Sequence, residues 1–418
     1  MSKFYIPRRF LFVVGTFFIS LFMYIDRACI SAAKDPITGD LGLTDTQMGW
    51  VLSAFALGYA LFQVPGGMMS DRFGPRRVLA GIIGIWSLFT ALTGIARSYI
   101  GILIVRFLFG AGEAGAFPGI SRSVYSWIPM KERGIVQGIN FSGSRVGAAL
   151  AMPLVAGMIS ALGWRESFIV LGITGIVFAI LWYLLFRNTP EELKGLSEKE
   201  KTHIINGRQK SSGASSSKLT AGKLFGSGNM WWAMLQYFGS NFTFFFALTW
   251  LFPHLKNTYN LEMMEAGIYT AAPFIAGAIG NWVSGLLVDA IYRRGKWKLS
   301  RKVPAILGFS LMIIGLLGSI SMVTAGGAVV MLSLAIFGAD MTLSPSWSFC
   351  IDVGKENSGS VSGTMNMAGN IGSFITALAF PYLMSWTGTT TAFFYLAAAL
   401  GVISIIAWVR MNPEKSII

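Results

Sequence analysis

Long apolar runs recur along the chain, separated by short polar loops rich in Lys and Arg. A helix that crosses the hydrocarbon core of a bilayer needs about 20 mostly apolar residues. Twelve stretches meet that need: 10–33, 46–70, 77–97, 99–123, 135–160, 166–187, 228–254, 264–290, 302–323, 326–351, 358–386 and 389–411. The first follows Lys3, Arg8 and Arg9, as the apolar part of a signal peptide would. Its length and its internal Asp26 and Arg27 mark it instead as an uncleaved span.

Composition agrees. As a soluble protein, 418 residues would make two or three domains. Only 12% of residues are charged and 54% are hydrophobic, against about 25% charged in an ordinary soluble domain. With 32 Phe and a mean hydropathy of +0.60, the chain is neither a soluble enzyme nor a disordered protein. The net charge of +14 is explained by where the cations sit. With the N-terminus inside, 25 Lys and Arg fall on the inner side and four (Lys34, Arg97, Arg165 and Lys256) on the outer side. The other four, Arg27, Arg106, Arg122 and Arg145, lie within spans. That asymmetry is the positive-inside signal. It places both termini in the cytoplasm, and the basic charge needs no nucleic-acid partner.

The longest connection, 188–227, separates six spans in 1–187 from six in 228–418. It holds the charged run Glu191–Lys201 and the serine-rich stretch Ser211–Ser217, which reads as flexible linker. Residues Ser197 to Arg208 are expected to form a short surface helix. Cys29 and Cys350 lie in apolar segments, which excludes a disulfide framework. His203 and His254 are far apart, so no His/Cys metal site is expected. No Gly-rich loop followed by Lys-Ser/Thr occurs, which disfavours transport driven by ATP. No nucleophile stands beside a base, so no catalytic site and no cofactor are expected. No outer loop holds an Asn-x-Ser/Thr site, which fits a bacterial inner membrane.

The two halves carry matching features in matching order. Between spans 2 and 3 stands Gly67-x-x-x-Asp71-Arg72-x-Gly74-x-Arg76-Arg77; between spans 8 and 9 stands Gly285-x-x-x-Asp289 followed by Arg293-Arg294-Gly295-Lys296. Spans 4 and 10 carry Phe109-Gly110-Ala111 and Phe337-Gly338-Ala339, and spans 5 and 11 carry Asn140/Gly143 and Asn366/Gly369. Parallel halves are one of the repeat patterns of secondary transporters. The loop beginning at Gly67 resembles the signature of the major facilitator superfamily. That resemblance implies an all-α membrane protein of twelve helices in two pseudo-symmetric six-helix bundles. It also implies that Gly67, Asp71, Arg72, Gly74, Arg76 and Arg77 form an inner gate stabilising the outward-open state.

Charges inside a membrane are costly and mark function. Asp26, Arg27, Arg106, Glu113 and Arg145 lie well inside first-half spans and together carry a charge of +1, which one bound monoanion would neutralise. Asp340 in span 10 adds a further negative charge. Depth along the helices predicts an outer cluster of Asp26, Arg27 and Arg106 and a central pair of Glu113 and Arg145. A guanidinium is a planar fork matched to a carboxylate, and a carboxyl held out of water gains from carrying a proton.

The segment from Arg106 to Gly119, the Asp26-Arg27 pair, and the run from Ala56 through Tyr59 and Gln63 to Gly67 resemble the anion:cation symporter family of that superfamily. That family includes carriers of galactonate, glucarate, hexuronates, sialic acid and glutamate. The resemblance implies that Asp26 and Glu113 carry protons, that Arg27 contacts the substrate carboxylate with Arg106 in support, and that Tyr59 lines the cavity with Gln63. Arg145, within Ser142-Gly-Ser-Arg145, departs from the uncharged pattern of the sugar-acid members and is a third candidate for the anion. The second half offers neutral groups: Tyr237 and Asn241 in span 7, Ser344, Ser346 and Trp347 in span 10, and Asn366 and Asn370 in span 11, opposite Asn140 and Ser144 in the half-repeat. The expected function is import of a small organic anion, a sugar acid above other acids, coupled to protons. Coupling to sodium and anion exchange are the alternatives. The expected partners are that anion and the lipid bilayer, and the expected state is a monomer.

Overall fold

The computed structural model describes residues 7–209 and 219–417, apart from the side chains of Ala28, Asp45, Thr46, Met152, Pro153, Met263 and Met264. Lys3, Lys210, Lys218 and the Ser211–Ser217 stretch lie outside the described residues. The first half builds α1 (Arg8–Ala32), α2 (Lys34–Leu41), α3 (Asp45–Phe73), α4 (Pro75–Ile95), α5 (Tyr99–Glu113), α6 (Ala116–Trp127), α7 (Arg133–Leu162) and α8 (Trp164–Leu185). The connection carries α9 (Glu198–Gly207) and α10 (Ala221–Phe225). The second half builds α11 (Gly228–Thr249), α12 (Leu251–Tyr259), α13 (Met263–Arg293), α14 (Trp297–Ile320), α15 (Ala325–Met341), α16 (Leu343–Gly354), α17 (Ser358–Thr387) and α18 (Thr391–Arg410).

Nine of these helical stretches are long and apolar enough to cross a bilayer, and the bent pair Met130–Ala151 and Leu154–Leu162 is a tenth. One of the nine, Ala325–Thr387, is 63 residues long and holds two of the expected spans. The twelfth, α11, has 22 residues, enough at about 1.5 Å per residue to cross. It carries the polar residues Gln236, Ser240 and Asn241 within its length. Two spans are broken well inside their expected limits: α5 gives way to α6 after Glu113, and α15 to α16 after Met341, while the expected span 228–254 runs past the end of α11 at Thr249 into α12. Both breaks have one cause. Pro118 and Pro345 lack an N–H, and each ring would clash with the carbonyl four residues earlier, on Ala114 and Met341. The half-repeat thus extends to the break itself.

Local chemistry sets other boundaries. Thr44 Oγ1 accepts from Gln47 N at 3.2 Å and Gln47 Oε1 accepts from Thr44 N at 2.9 Å, a reciprocal cap that starts α3. The expected surface helix over Ser197–Arg208 is α9, capped by Ser197. It folds back on the first span, where Glu200 accepts from the Arg9 backbone N at 3.0 Å.

The described residues form two compact units. One comprises Met1–Met130, Gly143–Ser211 and Glu356–Gly363; the other comprises Lys131–Ser142, Ser212–Lys355 and Thr364–Ile418. Short segments at the starts of α7 and α17 therefore pack with the opposite half of the sequence, and two aspartates hold them. In the first unit, Asp71 accepts from Gly359 N (2.9 Å), Ser360 N (2.7 Å) and Ser360 Oγ (2.6 Å) at the start of α17. In the second, Asp289 accepts from Gly134 N (2.8 Å) and Ile135 N (2.9 Å) at the start of α7. A carboxylate at a helix N-terminus satisfies orphan N–H groups and faces the positive end of the dipole. Four residues before each aspartate, Gly67 and Gly285 clear the way: a Cβ there would lie 2.3 Å from the Gly359 carbonyl oxygen or 2.7 Å from that of Gly134.

The rest of the expected gate divides by role. Gly74 turns the chain at φ +82°, a left-handed conformation that favours glycine. Arg76 donates from Nε to the Tyr183 carbonyl at 2.8 Å. Arg72 and Arg77 are exposed. The cation beside Asp71 is Arg122, at 3.9 Å.

A third aspartate was not singled out in the sequence. Asp352 accepts from Arg133 Nη1 at 2.5 Å, Arg301 Nε at 2.8 Å and Trp297 Nε1 at 2.9 Å, and all three charged side chains are fully buried. Replacing it strands two guanidiniums out of water, and breaking such a group costs about 3–5 kcal/mol. Asp352→Asn is therefore expected to unfold at markedly lower temperature in detergent, and a wild-type melting curve would refute that account. A second test concerns α3 and α5, where a Cβ on Gly110 would lie 2.1 Å from the Phe55 carbonyl oxygen. Gly110→Ala is expected to cost about 1–3 kcal/mol. Gly81→Ala on α4, with nothing within 4 Å of the new Cβ, should not destabilise; equal melting temperatures for the two variants would contradict the close contact.

Candidate functional site

Four of the intramembrane charges of the first unit come from two helices. Asp26 and Arg27 stand on α1, and Arg106 and Glu113 on α5. Neighbouring residues on a helix point about 100° apart, so Asp26 and Arg27 meet different partners, although the charges of Glu113 and Arg106 still reach Asp26. Arg27 Nε meets Glu113 Oε1 at 2.6 Å. Asp26 turns instead toward α4, where its Oδ2 accepts from Thr90 Oγ1 at 3.5 Å. The expected groupings are thus rearranged. Asp26, Arg27 and Arg106 make no ion pair with one another, and the partner of Glu113 is Arg27 rather than Arg145. Depth alone misled here, because it ignores helical phase and the reach of an arginine side chain along the axis.

Aromatic rings surround both guanidiniums. Arg27 lies over Tyr59 (4.3 Å to the ring centroid), Tyr24 (5.0 Å) and Phe55 (5.2 Å). Arg106 lies over Phe109 (4.6 Å) and shares Phe55 (5.3 Å). Ring faces attract cations more strongly where water is thin. Tyr24 and Phe55 were not among the sequence candidates; their i+3 spacing to Arg27 and i+4 spacing to Tyr59 on the same helices is the signal that could have found them.

Polar capacity remains unused in this cluster. Glu113 is fully buried, and its Oε2 has no hydrogen-bond partner among the described residues. The same holds for Arg27 Nη2 and Arg106 Nε. Arg106, only 2% exposed, has no carboxylate within ion-pair distance. Such orphaned groups in a low-dielectric interior are costly, which makes this the place in the unit where an anion would gain most. Gln63, Ser144 and Arg145 are buried in the same unit. Gln63 stands where the backbone of α3 meets α17: a Cβ on Gly363 would lie 2.7 Å from its carbonyl oxygen.

The second unit brings its sequence candidates together. Trp347 Nε1 donates to the Tyr237 hydroxyl at 2.9 Å. Asn241 Nδ2 donates to the Tyr237 carbonyl at 3.1 Å, and Asn370 Nδ2 to the Asn366 carbonyl at 2.8 Å. Gly369 sets α17 against α11, since a Cβ there would stand 2.5 Å from the Tyr237 ring and 2.7 Å from Asn241 Nδ2. The result is a patch of amide, hydroxyl and indole groups with no net charge. Asp340 is buried elsewhere in this unit, against α13 at Gly277.

Comparison with known proteins fits this architecture. Residues 16–377 match the model of the Major Facilitator Superfamily. The chain is 33% identical over 410 residues to a probable sulfoacetate transporter of Cupriavidus necator, covering 96% of this chain and 93% of that protein. It is 31% identical to the hexuronate transporter of Bacillus subtilis (96% and 93% covered) and 32% identical to a probable L-galactonate transporter of Escherichia coli (96% and 89% covered). Among solved structures, the proton:xylose symporter XylE has the same fold, with a TM-score of 0.75 at 16% identity over 97% of this chain and 96% of that one. Fold, half-repeat and full-length relatives agree: this chain is a multi-pass membrane protein that belongs to the Major Facilitator Superfamily.

Proposed function

We propose that this protein imports an organic anion, a sugar acid above other acids, together with protons across the inner membrane, with both termini in the cytoplasm. The observation that carries the reading is the Arg27–Glu113 pair at 2.6 Å, its carboxylate fully buried and its guanidinium half-buried, beside an Arg106 that has no carboxylate of its own. A substrate carboxylate offers two oxygens to the two guanidiniums. In taking Arg27 it displaces Glu113, whose negative charge is then costly out of water. A proton taken up by Glu113 removes that cost, so anion and proton become tenants of one site together. Asp26, which faces Thr90 of α4 at 3.5 Å, is assigned as a second proton carrier. Arg145 is assigned a supporting part in the field that draws the anion.

The relatives support the chemical class. Their names give a hexuronate, L-galactonate and sulfoacetate, all small organic anions and the first two rich in hydroxyls. The patch around Tyr237, Asn241, Asn366 and Asn370 suits such hydroxyls, because a few fixed polar groups beside an aromatic wall orient a sugar-like ligand. The driving force is ample: about 1.4 kcal/mol per proton for each unit of pH gradient, and about 2.3 kcal/mol per net charge for each ~100 mV. In this scheme the Asp71 and Asp289 brackets act as inner latches that release once per transport cycle.

Uptake into proteoliposomes tests the coupling. Glu113→Gln is expected to abolish pH-driven accumulation while exchange of internal for external substrate survives, and Asp26→Asn to weaken accumulation. Wild-type accumulation by both variants would overturn the assignment of these carriers, and uptake that ignores pH but requires sodium would replace protons with sodium. Binding is read by thermal shift against uronates, aldonates, aldarates, sulfoacetate and sialic acids at two pH values. Arg27→Ala and Arg106→Ala should each weaken binding of the best ligand about 10- to 100-fold, the worth of a charge-assisted hydrogen bond. Unchanged affinity in both would move the anion site to Arg145.

A further inference from the structure

A second basic site lies in the unit that contains α13 and α14. The turn between these helices is only three residues, Arg294–Lys296, and Gly295 makes it possible at φ +75°. This tight reversal sets Arg293, the last residue of α13, beside Trp297, the first of α14. With Tyr292, Gly295 and Lys131 they line a cavity of about 380 Å³.

The charges here are unequal. The acids of this region are engaged: Asp352 accepts from Arg133, Arg301 and Trp297, and Asp289 from the Gly134 and Ile135 N–H groups. Lys131 and Arg293 have no ion-pair or hydrogen-bond partner among the described residues, and Arg293 is exposed. Arg294 and Lys296 in the same turn are exposed as well. Asp289 lies within electrostatic reach of Arg293 but is engaged by the α7 N–H groups, so the cavity keeps a cationic lining.

Its setting identifies the ligand. Trp297 opens a membrane-crossing helix, and tryptophan at a span end marks headgroup level. The flanking turns of α13 and α14 expose Leu286 (59%), Leu299 (45%) and Val303 (40%), an apolar surface suited to acyl chains. We infer that Lys131 and Arg293 grip the phosphodiester of an anionic phospholipid, with Trp297 at the glycerol level and the acyl chains along Leu286, Leu299 and Val303. Basic pockets between membrane helices on the cytoplasmic side bind such headgroups.

The test uses the full-length protein purified in detergent, titrated with phosphatidylglycerol, cardiolipin or phosphatidylcholine and read by native mass spectrometry. Wild type should hold the two anionic lipids and not phosphatidylcholine. Lys131→Gln with Arg293→Gln should weaken phosphatidylglycerol binding roughly 30-fold, the factor expected from two interfacial cations, while Lys131→Arg with Arg293→Lys should keep it. Should the neutral double variant fail to fold, each single glutamine variant should lose about fivefold. Equal binding by the neutral variants, equal retention of phosphatidylcholine, or competition by millimolar inorganic phosphate or glycerol phosphate would overturn the inference; the last would mark a soluble-anion site.

Discussion

The Arg27–Glu113 ion pair joins α1 to α5 with its carboxylate fully buried and its guanidinium half-buried, and the chemistry of the first unit is arranged around it. Removing two charges from water costs several kcal/mol for each, and a short contact between them restores much of that. The surroundings do the rest: three aromatic rings face Arg27, and Phe55 serves Arg106 as well. The pair leaves Arg27 Nη2 and Glu113 Oε2 without partners, so it is held but not saturated.

Outside that site, the fold repeats one device. An aspartate at the end of a span caps the first N–H groups of a helix from the other half of the sequence, and a glycine one turn earlier lets the backbones meet. Asp71 with Gly67 does this at α17, and Asp289 with Gly285 at α7. These contacts combine hydrogen bonds and dipole attraction with close backbone approach at the glycines. The buried Asp352 between Arg133 and Arg301 is different in kind, since its three charged groups are fully enclosed. It is the more permanent tie.

Much of this was legible in the chain because the bilayer imposes length and polarity on every span. The positions of the helices, the matched features of the halves and the intramembrane charges all follow from that constraint. The partners of the charges did not. Asp26 and Arg27 are neighbours in sequence yet face α4 and α5, because each residue of a helix turns the side chain by about 100°. Asp352, Arg133 and Arg301 each looked like an ordinary charge near a span end, and only folding brings them to one point. Tyr24 and Phe55 escaped notice for a similar reason: an aromatic residue in an apolar span carries no mark of facing a cation.

By itself, the amino-acid sequence determined which segments are apolar helices, how many are long enough to cross the membrane, and which residues bring charge into the apolar interior. Hydropathy and glycine spacing act over one or two turns, so they can be read locally. The tertiary structure alone decided that Glu113 belongs to Arg27, that Asp26 faces Thr90 on α4, and that the starts of α7 and α17 pack with the opposite half of the chain. Those pairings depend on helical phase and on distances between segments far apart in sequence, and no local pattern encodes either.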